Sequence, residues 1–255
     1  MPRITRASKL GFSYRFAVTL LRRPLLLLTD HQWSGTEHLA VDGGIIIAPN
    51  HTSWFDPLPT AHYCFDNDRP PRFLAKDSVF RVFFVGRILR NAGQIPVKRD
   101  SVDAARSVAA GVEALERGEC VVVYPEGTIT RDPDLWPMSG KTGAARLALM
   151  TGAPLLPMAQ WGAEEVMRPY QMRLNLFPRK TLRVVVAPPV DLDDLRSRPL
   201  DADTLHIATE RLMDAITATL AQMRGVDPPA HRLDYEAYLE EEEESDGSKK
   251  RRSST

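Results

Sequence analysis

The sequence predicts an α/β domain: a single domain with a largely buried mixed sheet flanked by helices. Three observations carry this. Apolar runs such as Ile45-Ile46-Ile47, Val121-Val122-Val123 and Leu155-Leu156 show no polar alternation, as strands covered on both faces do not. Stretches of helical length and spacing follow most of these runs. Glycine and proline punctuate the junctions, at Pro49, Gly118 and Gly152 among others. With 255 residues, 43% of them apolar and a formal net charge of zero, the chain can bury a substantial core, and its balance does not favour bulk nucleic-acid binding.

Residues 1–30 form a basic amphipathic segment with Arg3, Arg6, Lys9, Arg15, Arg22 and Arg23 and no acid before Asp30. Arg22-Arg23-Pro24 interrupts its apolar run, which falls short of the roughly 20 residues that span a bilayer. No small-residue cleavage site follows, which argues against a signal peptide. The pattern suits a helix lying in the membrane interface. A helix packed on the core with a solvated basic face is the alternative.

Residues 31–224 are expected to form the globular domain. Trp33–Val41 reads as a turn and Gly44–Ala48 as the first strand, with Pro57 opening a helix over Leu58–Phe65. Strands follow at Phe73–Ala75 and Gln94–Val97, separated by a helix over Ser78–Leu89. Ser101 is placed to cap a helix over Val102–Glu116 that Gly118 ends. Val121–Tyr124, Leu155–Ala159 and Leu182–Ala187 are further strands. Helices are expected at Thr142–Met150 and Thr204–Met223. Residues 225–255 carry five consecutive acids, Glu240–Glu244, and a basic run, Lys249–Arg252. Such blocks do not bury, and a disordered tail is expected.

Three strand ends deliver polar groups in turn: His51 with Asp56, then Arg99, then Glu126. In an α/β sheet such ends converge on a site. A regular helix turns by about 500° over five residues, so His51 and Asp56 can meet only across a loop. Two readings of Asp56 stay open on spacing: a carboxylate orienting the imidazole, or the cap of the helix that begins at Pro57. No G-x-S-x-G elbow is present, and neither Cys64 nor Cys120 lies in a nucleophile signature. A base without a protein nucleophile implies that a bound hydroxyl or water attacks. No His, Cys or carboxylate cluster has metal-ligand spacing, so no metal is expected.

Four blocks in order resemble the glycerolipid acyltransferase family that includes 1-acylglycerol-3-phosphate acyltransferases. NHTSWFD resembles its His-x4-Asp block, and the resemblance implies a base at His51 and an orienting acid at Asp56. GQIPVKRD resembles the second block, with Arg99. YPEGTITRD resembles the third, with Glu126, Gly127 and Thr128 at acceptor-binding positions; Glu126 would hydrogen-bond the acceptor or brace the loop. APLLPMA resembles the fourth, through Pro154 and Pro157. Lys141 stands where the family commonly has a lysine. One position departs: Ile129 replaces the arginine two residues after the glycine, and Arg131 is the nearest substitute.

The resemblance implies transfer of an acyl group from a thioester, acyl-CoA or acyl-carrier protein, to the hydroxyl of 1-acyl-sn-glycerol 3-phosphate. No resident cofactor is implied. Arg99, Lys141 and Arg131 would hold the acceptor phosphate, and backbone amides of the Asn50–Ser53 turn would serve the oxyanion. The lysophospholipid acceptor implies a membrane surface as partner and peripheral attachment at the cytoplasmic face of the cell membrane. Glycerol 3-phosphate or a glycolipid is the alternative acceptor. A non-catalytic membrane-binding protein is the alternative class.

Overall fold

The computed structural model describes residues 22–81, 83–97 and 101–252. Seven strands form one sheet: β1 (Thr29–Ser34), β2 (Ile45–Pro49), β3 (Pro71–Lys76), β4 (Ile95–Val97), β5 (Cys120–Val122), β6 (Leu155–Trp161) and β7 (Lys180–Val186). Their spatial order is β1-β7-β6-β2-β5-β3-β4. Every neighbouring pair is parallel except β6 and β7, so the sheet is mixed, as the sequence predicted.

Alternation along β2 sends Ile45 and Ile47 to one face and Ile46 and Ala48 to the other. The first pair packs with Val122, Leu156, Met158 and Val184, and with Tyr63 and Cys64 of α2 (Pro57–Asp66). The second pair meets Ala114 and Leu115 of α5 (Ser101–Glu116), Leu147 of α6 (Gly143–Thr151) and Leu212 and Ile216 of α8 (Ala202–Arg224). All three isoleucines are fully buried, which explains a run with no polar residue. Gly44 brings the start of β2 against α5: an added Cβ would sit 2.3 Å from the Leu115 carbonyl oxygen.

Several boundaries differ from expectation. β1 occupies residues read as the end of the N-terminal segment and a turn, pairing along its length with β7. Thr29 and Asp30 therefore belong to the sheet. It is an edge strand rich in polar residues, so hydrophobic patterning does not announce it. The helix expected over Ser78–Leu89 is divided into α3 (Asp77–Phe80) and α4 (Phe83–Asn91). α5 includes Ser101 rather than starting after it. The two cysteines, distant in sequence, are both buried in the core beneath α2.

Of the N-terminal segment, residues 22–30 lie within the described residues, 22–28 as a helix, α1, and the last two in β1. The expected interfacial helix before it lies outside them. Among the described residues, no helix is long and apolar enough to cross a membrane. Where a disordered tail was expected, α9 (Tyr235–Arg252) forms. Its entry is tied down: the Ser139 amide donates to the Leu233 carbonyl (2.9 Å) and the Tyr235 amide to Ser139 Oγ (3.1 Å).

Candidate active site

β2 ends at Pro49, and residues 50–56 reverse before Pro57 opens α2. Asp56 precedes that helix but makes no side-chain cap to it. Its carboxylate turns back into the loop. Oδ2 accepts the Thr52 amide at 2.6 Å and the Ser53 amide at 2.8 Å, and lies 2.8 Å from His51 Nδ1. Asp56 is completely buried, so its pairing with three donors is what burial demands. Of the two readings open on spacing, the geometry is that of the imidazole contact. A carboxylate at Nδ1 fixes the proton there and leaves the lone pair on Nε2. Nε2 has no hydrogen-bond partner among the described residues, and the His51 side chain is 15% exposed.

The His51 backbone is held from two further directions. Its amide donates to Glu126 Oε1 (2.8 Å), and its carbonyl accepts the Thr130 amide (2.8 Å). Glu126 Oε2 accepts the Met138 amide at 3.0 Å. Burial pushes the Glu126 carboxyl up to about 8, against the downward pull of those two amide donors. Two roles were open for Glu126, acceptor ligand or brace of the loop. Here both of its oxygens hold main chain, and the residue clamps the His51 turn to the 126–138 loop.

Beside the imidazole lies Tyr124, ring centroids 4.4 Å apart and tilted by 36°. Burial raises its phenol well above the usual range, so it remains protonated. Tyr124 Oη meets Thr60 Oγ1 at 3.2 Å, and that hydroxyl donates to Gln160 Oε1 at 2.9 Å. Asn50 and Gln160 exchange three hydrogen bonds of 2.8–3.1 Å, locking the ends of β2 and β6 together. Sequence reading missed Tyr124, Thr60 and Gln160. The signal available for Tyr124 was its place at a strand end just before the Pro-Glu-Gly turn.

The amides proposed for the oxyanion are already occupied. Those of Asn50, His51, Thr52 and Ser53 donate to Met158 O, Glu126 and, for the last two, Asp56. The turn needs all four for its own shape.

The cationic residues divide. Arg99 lies outside the described residues. Lys141 is half-exposed; its stem passes Gly127, whose missing Cβ would lie 3.4 Å from the Lys141 Cδ, and its Nζ is 3.6 Å from Glu236 of α9. Gly127 also has φ +70°, which favours glycine. Ile129, at the position of the family arginine, is 2% exposed and points into packed protein. Arg131 instead stacks on Tyr170, 4.0 Å from its ring centroid, with Nε buried and unpartnered. The Tyr170 hydroxyl donates to the Ile129 carbonyl and meets Thr128, fixing the arginine's platform to the same loop. Among the described residues no cluster suits a metal ion.

A family model described as Acyltransferase matches residues 31–161, just over half the chain, from β1 through β6 and across every site residue just described except Tyr170 and Glu236. The chain belongs to the acyltransferase family. This acyltransferase is 25% identical over 209 residues to the 1-acyl-sn-glycerol-3-phosphate acyltransferase of Bacillus subtilis (strain 168), covering 82% of the chain and 94% of that protein. The protein of the same name from Borreliella burgdorferi is 32% identical over 126 residues, 49% of the chain and 48% of that protein. The fold matches the crystal structure of the 1-acyl-sn-glycerophosphate (LPA) acyltransferase PlsC from Thermotoga maritima, with a TM-score of 0.63, 21% identity, and coverage of 85% of this chain and 81% of that one. In this acyltransferase the first and third sequence blocks meet through the His51 main chain, whose amide donates to the Glu126 carboxylate and whose carbonyl accepts the Thr130 amide.

Proposed function

We propose that the enzyme transfers a fatty acyl group from an acyl thioester, acyl-CoA or acyl-carrier protein, to the free hydroxyl of 1-acyl-sn-glycerol 3-phosphate, giving phosphatidic acid. The observation that carries this is the imidazole held by a buried carboxylate, with Nε2 left for a ligand. His51 Nε2 takes the proton of the acceptor hydroxyl as its oxygen bonds to the thioester carbonyl carbon. The tetrahedral intermediate collapses, the C–S bond breaks, and the imidazolium returns its proton to the departing sulfur. The products are an ester and a free thiol. General-base assistance of this kind is worth roughly 10²–10⁴-fold.

The acceptor phosphate is assigned to Arg131 and Lys141. Stacking leaves the guanidinium edge of Arg131 to reach an anion. The Lys141–Glu236 pair is more than half exposed on both sides, so it holds the lysine weakly and yields to a dianion. Acceptor identity also rests on the names of the relatives. We place the enzyme peripherally on the cytoplasmic face of the cell membrane, where both lipid substrate and product reside.

A panel of acceptors with labelled acyl-CoA tests the reading: 1-acyl-sn-glycerol 3-phosphate, glycerol 3-phosphate, a glycolipid and water alone. Wild type should esterify the first and His51→Ala should lose at least about 10²-fold. Equal transfer by His51→Ala, or acceptor-independent release of fatty acid, would overturn it.

A further inference from the structure

From Val166 through Val190 the sequence contains no acidic residue. The connection from α7 (Ala163–Val166) to β7 lies within this stretch and interleaves Arg168, Arg173 and Arg179 with Met172, Leu174 and Phe177. It is a built turn. The Gln171 amide donates to Arg168 O (3.1 Å), the Asn175 amide to Val166 O (2.7 Å), and Met167 bridges Leu174. Leu176 roots it in the core beside Leu25, Val166 and Leu182.

The tips face outward: Met172 is 81% exposed, Phe177 75% and Leu174 51%. Leu26 and Leu27 of α1 are also exposed, and Arg179 Nη2, at the end of the turn, donates to the Leu26 and Thr29 carbonyls. Large apolar side chains held in water by an ordered turn mark a surface that something covers. Arg179 pairs with Asp30 at 2.8 Å, whereas Arg168 and Arg173 have no ion-pair partner among the described residues. A second copy docking face to face would bring these like charges together. An anionic lipid surface takes both chemistries, with apolar tips at the acyl boundary and guanidinium groups among the phosphates.

The same turn reaches the candidate active site. Ser53 Oγ donates to the Met167 carbonyl at 2.6 Å, and Tyr170 carries Arg131 and lies 6.2 Å, ring to ring, from Trp54. We propose that residues 167–179 form a membrane-docking turn for anionic bilayers, distinct from the N-terminal segment, that seats the mouth of the site on the lipid surface. The choice of a bilayer as occupant rests on the reading of the enzyme as a lipid acyltransferase.

The test uses the full chain with sedimentable vesicles of phosphatidylcholine, alone or mixed with phosphatidylglycerol. The N-terminal segment is intact in every variant, so differences report the turn. Arg168→Gln with Arg173→Gln should weaken binding to the anionic vesicles about thirtyfold and leave binding to neutral ones unchanged. Met172→Ser with Phe177→Ser should weaken binding to both by about tenfold or more. Turnover of a short-chain acceptor dissolved as monomers should stay at the wild-type rate in both variants, as should the melting temperature. Wild-type vesicle binding by both double variants would overturn the proposal. So would a concentration-dependent dimer, seen by ultracentrifugation, that the substitutions abolish. Failure of wild type to acylate any acceptor would sink the reaction while leaving the vesicle measurement to judge the surface.

Discussion

Replacing Asp56 by asparagine separates the carboxylate's charge from its shape. The side chain is fully buried, and its Oδ2 gathers the His51 Nδ1, Thr52 and Ser53 donors at 2.6–2.8 Å. An asparagine oxygen in that place can still accept from all three, so the turn keeps its form. Each bond loses its charge assistance, about 1 kcal/mol apiece. The two amide bonds bear on folding and together predict about 2 kcal/mol of destabilisation. For a chain of this size that lowers the melting temperature by roughly 4–8 °C. The third bond bears on the barrier, because a neutral amide stabilises the transient imidazolium poorly. We expect kcat/KM to fall about 10²–10³-fold, or roughly 3–4 kcal/mol of transition-state energy, with KM for the acceptor little changed. Continuous detection of the released CoA thiol gives the rate, and thermal unfolding gives the stability term independently. A rate within about threefold of wild type, alongside an inactive His51→Ala, would show that Asp56 only shapes the loop.

Glu126→Gln should lose one of two amide acceptances, to His51 or Met138, at a cost of roughly 1–3 kcal/mol near pH 5. Its carboxyl sits at about 8 when folded against an ordinary 4.5, so the native state holds an extra proton between those values. That contribution to stability is complete below 4.5 and is lost as pH rises through 8. Denaturant titrations should therefore show a shallower decline for Glu126→Gln than for wild type over this window. Glu164, which burial pushes to about 7, adds to the decline, while His31 and His62, both lowered by burial, oppose it; an unchanged slope in Glu126→Gln would refute the assignment. Restoring the family arginine by Ile129→Arg should not improve acceptor binding. The site is 2% exposed, and an unpaired guanidinium there should cost several kcal/mol and leave the protein poorly soluble. A soluble variant with lowered KM would show that the loop opens.

Legibility in the sequence followed locality. His51 and Asp56 are five residues apart, and Pro57 tells where the helix must begin, so the reversal that joins them is written in one short stretch. The buried strands were legible because their runs lack polar residues. β1 was not, since Thr29–Ser34 lies at the sheet edge and only alternate residues face the core. Tyr170 was missed because it lies 39 residues beyond Arg131, and no period links a cation to an aromatic across that gap. Glu126 was found with two roles open, and its bonds are those of the loop brace rather than of an acceptor ligand. Its type and position announce a buried acid at a strand end, while the amides that claim its oxygens are 75 residues before it and 12 after it.

These contacts divide the site into a fixed part and an adjustable part. The imidazole is set by its ring contact to Asp56 and by main-chain bonds to Glu126 and Thr130, all within 2.8 Å, so little reorganisation remains when the hydroxyl arrives. The cost of that rigidity is that the Asn50–Ser53 amides have no donor left, so the proposed mechanism needs groups outside this turn to meet the oxyanion. The cations are held more loosely, Lys141 by an exposed pair and Arg131 by the face of one ring. Under the proposed function, phosphate binding would draw them in without disturbing the base. Because Tyr170 belongs to the basic, apolar turn over 167–179 and carries Arg131, the proposed seating of that turn on a bilayer would also position Arg131, and would couple capture of the lipid headgroup to contact with the surface the lipid comes from.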